Sequence, residues 1–345
     1  MGDILHALPA VTALRMAHPD WVIDWVVEPR WRALLAAESM PLQSGRNPAQ
    51  PLIDHLHFAA TKNWRKAPFS RQTFREFKAL RAALRAGEYD AVIDLQGAIR
   101  SALLARLAAR LAGCRRLIGE ANPRESIARW LYSERVVTQA THVIEQDVEL
   151  ASAIAGDELA PVPPWLPVDP AAETWADEIL PPASGQSAVL INPGAGWGAK
   201  RWPIERYVVV AQGFIANGFR VLVNTGPGEE PLARELSRQT NGAATPLSCT
   251  LAQLIALTRR IALAIAGDTG PLHLACALGR PVVGIYGPTD PSRNGPFGTR
   301  FTVLRSPESR RDHTRRAAPE SGLLTIQPSD VLRAADALLY PESAS

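Results

Sequence analysis

Short apolar runs alternate with longer stretches in which apolar residues recur every three or four positions, along nearly the whole chain. WVIDWVVE (Trp21 to Glu28) and DAVIDLQG (Asp90 to Gly97) read as buried strands. SAVLINPG, FRVLVNTGPG, IALAIAGDTG and PVVGIYGPTD read as further strands, each ending in a loop that carries Gly or Pro. RQTFREFKALRAALRAG reads as a helix with Gly87 at its C′ position, and residues 99–113 as an Ala/Leu/Arg helix closed by Gly113. Helices also fit residues 204–217, 229–238 and 251–258. SDVLRAADALLY reads as a terminal helix with Ser329 as its N-cap. This alternation predicts an α/β fold of doubly wound parallel sheets, with ligand loops at the carboxyl ends of the strands.

Proline punctuates the middle of the chain at Pro161, Pro163, Pro164, Pro167, Pro170, Pro181 and Pro182. A helix or central strand there is improbable, because proline lacks a backbone donor and fixes its own φ. The expected organisation is a domain over residues 1–165, a stiff linker over 166–182, a second domain over 183–328, and a helix and tail over 329–345. Two such domains are expected to enclose a cleft, the usual place for a ligand. Residues 306–316 are charged and irregular.

A length of 345 residues suits two domains with cores large enough to need no staple. With 46% hydrophobic and 21% charged residues the chain is neither disordered nor fibrous. No apolar run is long enough to span a bilayer, and the N-terminus has no basic region of the secretory kind. The three cysteines, Cys114, Cys249 and Cys276, are too scattered for a disulfide framework or a zinc site, so a reducing cytoplasm is the simplest compartment. A net charge of +3 does not by itself argue for nucleic acid. The distribution says more: Lys62, Arg65, Lys66, Arg71, Arg75, Lys78, Arg81 and Arg85 stand against the single acid Glu76. Two readings fit, a solvated helix face or a basic wall for an anionic partner, and the clustered start KNWRKAPFS favours the second.

The chemistry concentrates in two stretches. In IALAIAGDTGPLHLACALG a strand ends at Gly267, Asp268 and Thr269 follow, Gly270 admits close approach, and Pro271 opens a helix. That arrangement aims backbone N–H groups and a positive helix end at one point, which suits a pyrophosphate; a well-capped structural turn is the alternative. His273 sits on the same first turn, where a structural histidine is again the plainer reading. INPGAGWGAKRWP meets neither the GxGxxG nor the GxxxxGK[ST] pattern, yet a strand, a glycine-rich loop and Lys200 before a helix make a phosphate cradle or a plain turn. No Asp-x-Asp occurs, so Lys200 and helix N-termini must carry the charge of any nucleotide diphosphate that a metal otherwise carries. Glu229 is a candidate for ribose hydroxyls, or an exposed helix-start glutamate.

MGDILHALPAV, YDAVIDLQGAIRSAL, NPGAGWGAKRWP and GDTGPLHLACALGRPVVGIYGPTDP, with the spacing between them, resemble the lipopolysaccharide core heptosyltransferases, a family of glycosyltransferases. The likeness extends over nearly the whole length. KNWRKAPFS and the pair Arg124-Glu125 look most like the heptosyltransferase I branch, whose members add the first heptose to the inner Kdo sugar of lipid A. The resemblance implies a GT-B fold, two Rossmann-like domains facing a cleft, and inverting, metal-independent transfer with no cofactor. It implies an ADP-heptose donor, a Kdo-lipid A acceptor, and a peripheral place on the cytoplasmic face of the inner membrane. By the same resemblance Asp3 is the general base, Lys200 stabilises the leaving ADP, and Asp268 joins them. Ala195, Gly196, Glu229, Cys249, Thr269, Gly270 and His273 complete the donor site. Lys62, Arg65, Lys66, Gln96, Arg100 and Arg124 form the acceptor surface. A relative adding a later core heptose or another sugar, and a truncated nucleotide-sugar binder without turnover, remain as alternatives.

Family members begin with an apolar strand ahead of the Gly-Asp loop, whereas this sequence starts inside that loop. The first strand is therefore expected to be missing, with Met1 internal to a longer frame and Asp3 near a disordered end. Asp3 as a simple helix cap is the plainer reading of that residue.

Overall fold

The computed structural model describes residues 1–42, 45–309 and 318–341. Residues 310–317, which include most of the stretch 306–316 read as charged and irregular, and 342–345 of the tail, lie outside that set. The chain divides into two compact units, one ending at Asp169 and the other beginning at Pro170.

The first unit runs α1 (Gly2–Ala17), β1 (Asp24–Val27), β2 (His55–Phe58), α2 (Thr61–Lys66), α3 (Arg71–Ala86), β3 (Ala91–Asp94), α4 (Ile99–Ala112), β4 (Arg116–Glu120), β5 (Glu134–Val136) and α5 (Val143–Ala155). Its strands form two parallel ladders, β1-β2 and β3-β4-β5. The strands expected to be buried, β1 and β3, are only half-buried, because each stands at the edge of its ladder with one neighbour. Asp24 on β1 accepts hydrogen bonds from His55, His57 and Tyr89 at 2.8–2.9 Å, which ties β1 to β2 and to the end of α3. This contact corrects the reading of Gly87. Its φ is −73°, ordinary right-handed helix, and the residue with positive φ is Glu88. Glycine is needed at 87 because a Cβ there would run into the Tyr89 ring. Gly113 does close α4 in the left-handed conformation, at φ 71°.

Helix α1 is anchored by a buried cation. The Arg15 side chain has no exposed surface; its guanidinium donates to the carbonyls of Leu52, Pro19 and Trp21 and to Asp54 Oδ2. Asp54 also accepts from Ile23 N at 2.8 Å, so one ion pair fixes α1, the approach to β1 and the approach to β2.

The second unit runs α6 (Pro170–Ile179), β6 (Ala188–Asn192), α7 (Ile204–Ala216), β7 (Arg220–Val223), α8 (Glu230–Gln239), β8 (Ala244–Pro246), α9 (Leu251–Thr258), β9 (Leu263–Gly267), α10 (Gly270–Ala277), β10 (Val282–Tyr286), α11 (Pro291–Asn294), β11 (Phe301–Arg305) and α12 (Pro328–Leu339). Its six strands pair in parallel in the order β11-β10-β9-β6-β7-β8. β6, β9 and β10 are buried along their whole length, as the near-continuous apolar runs required. Val189, Ile191, Val221, Ile265 and Ile285 pack in one cluster with Tyr207, Phe214, Leu236 and Val331 of the covering helices.

The linker reading over 166–182 needs correction. Val168 N donates to Pro48 O, and Asp169 accepts from the backbone of Glu38 and Ser39, so this part belongs to the first unit. The next ten residues are helix α6. Proline is tolerated at its first position, and residues 171–179 contain none. Glu173 and Asp177 on α6 hold Arg259 and Arg260 behind α9, at 2.5–2.8 Å. The terminal helix is capped two residues earlier than read. Pro328 takes the first position, Gln327 is the cap, and its N–H is met by Asp330 Oδ2 at 2.9 Å.

Replacing Arg15 with methionine removes the buried cation from Asp54 and a donor from three carbonyls. The expected loss is about 3–5 kcal/mol in urea unfolding, the usual consequence of breaking a buried pair; a loss below about 1 kcal/mol would show that α1 is held by packing alone.

Candidate functional site

In a parallel sheet the strand order decides where loops diverge. The second unit starts at β6, builds β7 and β8 to one side, then crosses to build β9, β10 and β11 on the other. The switch lies between β6 and β9, whose carboxyl ends therefore splay their loops apart and leave room for a ligand. Those two loops carry the expected chemistry. Lys200 follows β6, Asp268 follows β9, and Lys200 Nζ sits 2.5 Å from Asp268 Oδ2 with both side chains only 11% exposed. His273 Nε2 lies 3.2 Å from the other Asp268 oxygen, and the Lys200 ammonium is 4.3 Å from the centre of the Trp197 ring. Burial alone would raise the Asp268 pKa. The hydrogen bond from His273 and the charge of Lys200 outweigh it and hold the carboxyl well below the usual range.

Thr269 is the N-cap residue of α10, and its hydroxyl donates to Gly267 O. Pro271 has no N–H, and Leu272 N and His273 N donate to Thr269 O, which leaves the Gly270 N–H of that turn to a ligand. A side chain at Gly196 would meet nothing within 4 Å, whereas Ala195 is buried. Glu229 is neither an exposed helix-start residue nor free for a sugar. Its two oxygens accept from Ala195 N at 2.9 Å and Gly226 N at 3.2 Å, joining the loops after β6 and β7. A Cβ at Gly194 would collide with this carboxylate and push it from its place. Cys249 lies 3.8 Å from Asn224, and burial pushes its thiol up to about 11.

The structure adds residues that the sequence reading passed over. Asn192 and Asn224, at the ends of β6 and β7, join by a 2.7 Å hydrogen bond. Thr289, after β10, is buried with a hydroxyl that has no partner among the described residues. Their signal was present in INPG, VNTG and GPTD, each a polar residue where an apolar strand meets a Gly/Pro loop.

In the first unit Asp3 is ordered rather than loose. It lies in the first turn of α1, where Met1 is the cap residue, so it does not cap the helix. Its carboxylate, half exposed, accepts from Gln96 Nε2 at 2.7 Å and Arg124 Nη1 at 3.4 Å. Gln96 follows β3 and Arg124 follows β4, adjacent strands of one ladder. The two loops meet at Gly97, which has φ 62° and whose absent Cβ leaves 3.1 Å to Arg124 N. Behind them Asp94 accepts from Tyr132, Ser101 and the Gln96 backbone at 2.8–3.0 Å. Burial raises its pKa despite those bonds. Asp147 is more deeply buried; desolvation first, then the charges of Asp3 and Asp94, push it well up. Of the expected acceptor residues, Gln96 and Arg124 therefore converge on Asp3. Arg100 is exposed on the first turn of α4, and Lys62, Arg65 and Lys66 are exposed on α2; no hydrogen bond or ion pair links their side chains to Asp3 among the described residues.

Residues 77–323 match the family model described as glycosyltransferase family 9 (heptosyltransferase). The chain belongs to that family. The family member is 31% identical to lipopolysaccharide heptosyltransferase 1 of Escherichia coli K12, over 89% of this chain and 91% of that one. It is 26% identical to lipopolysaccharide heptosyltransferase 3 of Escherichia coli, over 98% of this chain and 96% of that one. The solved structure of E. coli heptosyltransferase WaaC with ADP superposes with a TM-score of 0.77 at 28% identity, covering 98% of this chain and 97% of that chain. The heptosyltransferase thus has the α/β GT-B architecture and acts in lipopolysaccharide core synthesis. Asp3 and the basic helix α2 precede the span matched by the family model. No helix among the described residues is long and apolar enough to cross a membrane.

Because Asp268 ionises more readily in the folded chain, its contribution to stability is complete above the ordinary carboxylate pKa of about 3.9 and fades as pH falls towards the folded value. Lys200→Met removes a cation that holds it ionised. The variant is expected to be less stable than the parent in urea at neutral pH, with the gap narrowing below about pH 4. A gap independent of pH would show that Lys200 does not hold this carboxylate.

Proposed function

We propose that this heptosyltransferase moves heptose from ADP-heptose to the inner Kdo of Kdo-lipid A, with inversion at the anomeric carbon and without a metal ion. The carrying observation is the pair of polar clusters, each built where parallel strands end. Asp268 kept ionised beside Lys200 and His273 is one, and Asp3 held by Gln96 and Arg124 is the other.

The donor reading rests on the second unit. Ala195 and Gly196 line the loop after β6, and Glu229 fixes that loop against the one after β7. Cys249 borders the paired Asn192 and Asn224. The Gly270 N–H and the positive end of α10, with Thr269 beside them, suit the diphosphate. Lys200 then supplies the charge that stabilises ADP as it leaves. His273 and Asp268 remain to bind sugar hydroxyls. A 2-deoxy-2-fluoro analogue of that nucleotide sugar is bound in the E. coli WaaC complex with ADP-2-deoxy-2-fluoro heptose, which supports the donor reading.

The acceptor reading rests on the first unit. A sugar hydroxyl is a weak nucleophile at neutral pH, and a carboxylate that takes its proton typically contributes about 10²–10⁴-fold. Asp3 is that base in the proposed reaction. Gln96 and Arg124 are positioning residues for it, and the exposed cations Lys62, Arg65, Lys66 and Arg100 suit carboxylates and phosphates of the acceptor. The likeness to heptosyltransferase 1 supports the first heptose of the core; the likeness to heptosyltransferase 3 keeps a later position as the competing acceptor. Action on a lipid-linked acceptor agrees with a peripheral place on the cytoplasmic face of the inner membrane.

Asp3→Asn keeps an oxygen for Gln96 and Arg124 but removes the base. The expected outcome is a fall in kcat of at least about a hundredfold on Kdo-lipid A with donor KM nearly unchanged; a kcat within a few-fold of the parent makes Asp3 structural. Titration calorimetry with ADP is expected to give the same affinity with and without EDTA. A collapse of affinity on chelation would overturn the metal-free reading.

A further inference from the structure

The helical hairpin α2–α3 carries a feature that neither cluster uses. The apolar stripe of α3 passes through Leu84, Leu80 and Phe77 at helical spacing; the two leucines are buried, and Phe77 packs edge-on against Trp64 with centroids 5.8 Å apart. One turn further towards the N-terminus the stripe outruns the core. Phe74 is 72% exposed, and Phe69, in the turn before the helix, is fully exposed. That turn is fixed rather than loose: Ser70 N donates to Ala67 O, Thr73 N to Ser70 Oγ, and the Thr73 hydroxyl to Ala67 O. A rigid turn therefore holds two aromatic rings in water.

The rings stand among Arg65, Lys66, Arg71, Arg75 and Lys78, all exposed and in no ion pair among the described residues. The local acid, Glu76, is already taken by Trp64 Nε1 at 2.7 Å and Gln72 at 2.9 Å. Two apolar rings at the apex and long cationic side chains around them are the pattern of an interfacial anchor, in which the rings enter the acyl boundary and the cations reach headgroup phosphates. A second copy of the same surface would repel it by like charge. A nucleic-acid strand needs a concave track with flat stacking platforms, whereas these rings sit on a convex turn.

We propose that Phe69 and Phe74, with the flanking cations, dock this hairpin on an anionic lipid bilayer. In its biological purpose the proposal rests on the lipid-linked acceptor reading given above; its physical content, adhesion to an anionic bilayer, does not. The test is flotation of the full chain with extruded vesicles of phosphatidylcholine alone and of phosphatidylcholine with phosphatidylglycerol as about a third of the lipid, neither holding donor or Kdo. The parent is expected to float with the anionic vesicles at low salt, to release in high salt, and to ignore neutral ones. Phe69→Ser with Phe74→Ser keeps every charge and is expected to lower the partition constant at least about tenfold with an unchanged unfolding midpoint. Its kcat/KM on a de-acylated, water-soluble acceptor is expected to equal the parent's. Equal partition of parent and variant overturns the proposal. So does a parent that ignores anionic vesicles, that dimerises through these rings, or that binds oligonucleotide in place of lipid. Failure of heptose transfer in both proteins, with flotation as expected, counts against the acceptor reading alone.

Discussion

Parallel pairing is the constraint on which the rest of this molecule depends. Every pairing between the described strands is parallel, so each strand must hand its chain to a crossover that returns it to the amino-terminal end of the sheet. The carboxyl ends of distant segments then gather along one line. Lys200 and Asp268 are 68 positions apart in sequence yet form a 2.5 Å pair, because β6 and β9 are neighbours. Gln96 and Arg124 meet at Asp3 for the same reason, since β3 and β4 are neighbours. Neither arrangement follows from local propensity.

Burying charge at such an edge is unfavourable unless the charge is paired. Asp268 satisfies that condition through the Lys200 cation and takes a hydrogen bond from His273 as well. The cluster is thereby held together by its own members, with the Lys200 cation fixed against Asp268. Glu229 does comparable work for backbone donors, holding two loops at the width that Gly194 permits. The first unit solves the opposite problem. There Asp94 and Asp147 are drawn towards the neutral form by burial, and Asp3 stands half exposed with two donors on its carboxylate. One buried carboxylate is kept charged and two are pushed towards neutrality, and environment alone separates them.

The sequence by itself determined the strands and helices whose apolar period is unbroken: β6, β7, β9, β10, α3, α4, α7, α8 and α9 stand close to where periodicity put them. It also determined the chemistry at the strand ends, since GDTG and GAK place Asp268 and Lys200 in loops after apolar runs. Short, half-exposed strands such as β2, β5 and β8 were not legible, because three or four residues of mixed polarity carry no period. Proline count misjudged residues 166–182, because what matters is where the prolines fall, and α6 begins on one and contains no other. Only tertiary structure could decide what each polar group does. Glu229 became a loop clasp and Asp3 an ordered carboxylate, and Gly87 serves a tyrosine ring rather than a left-handed cap. The physical reason is common to all three: a side chain's role is set by partners that the chain brings from tens of residues away, and strand order, not local sequence, selects them.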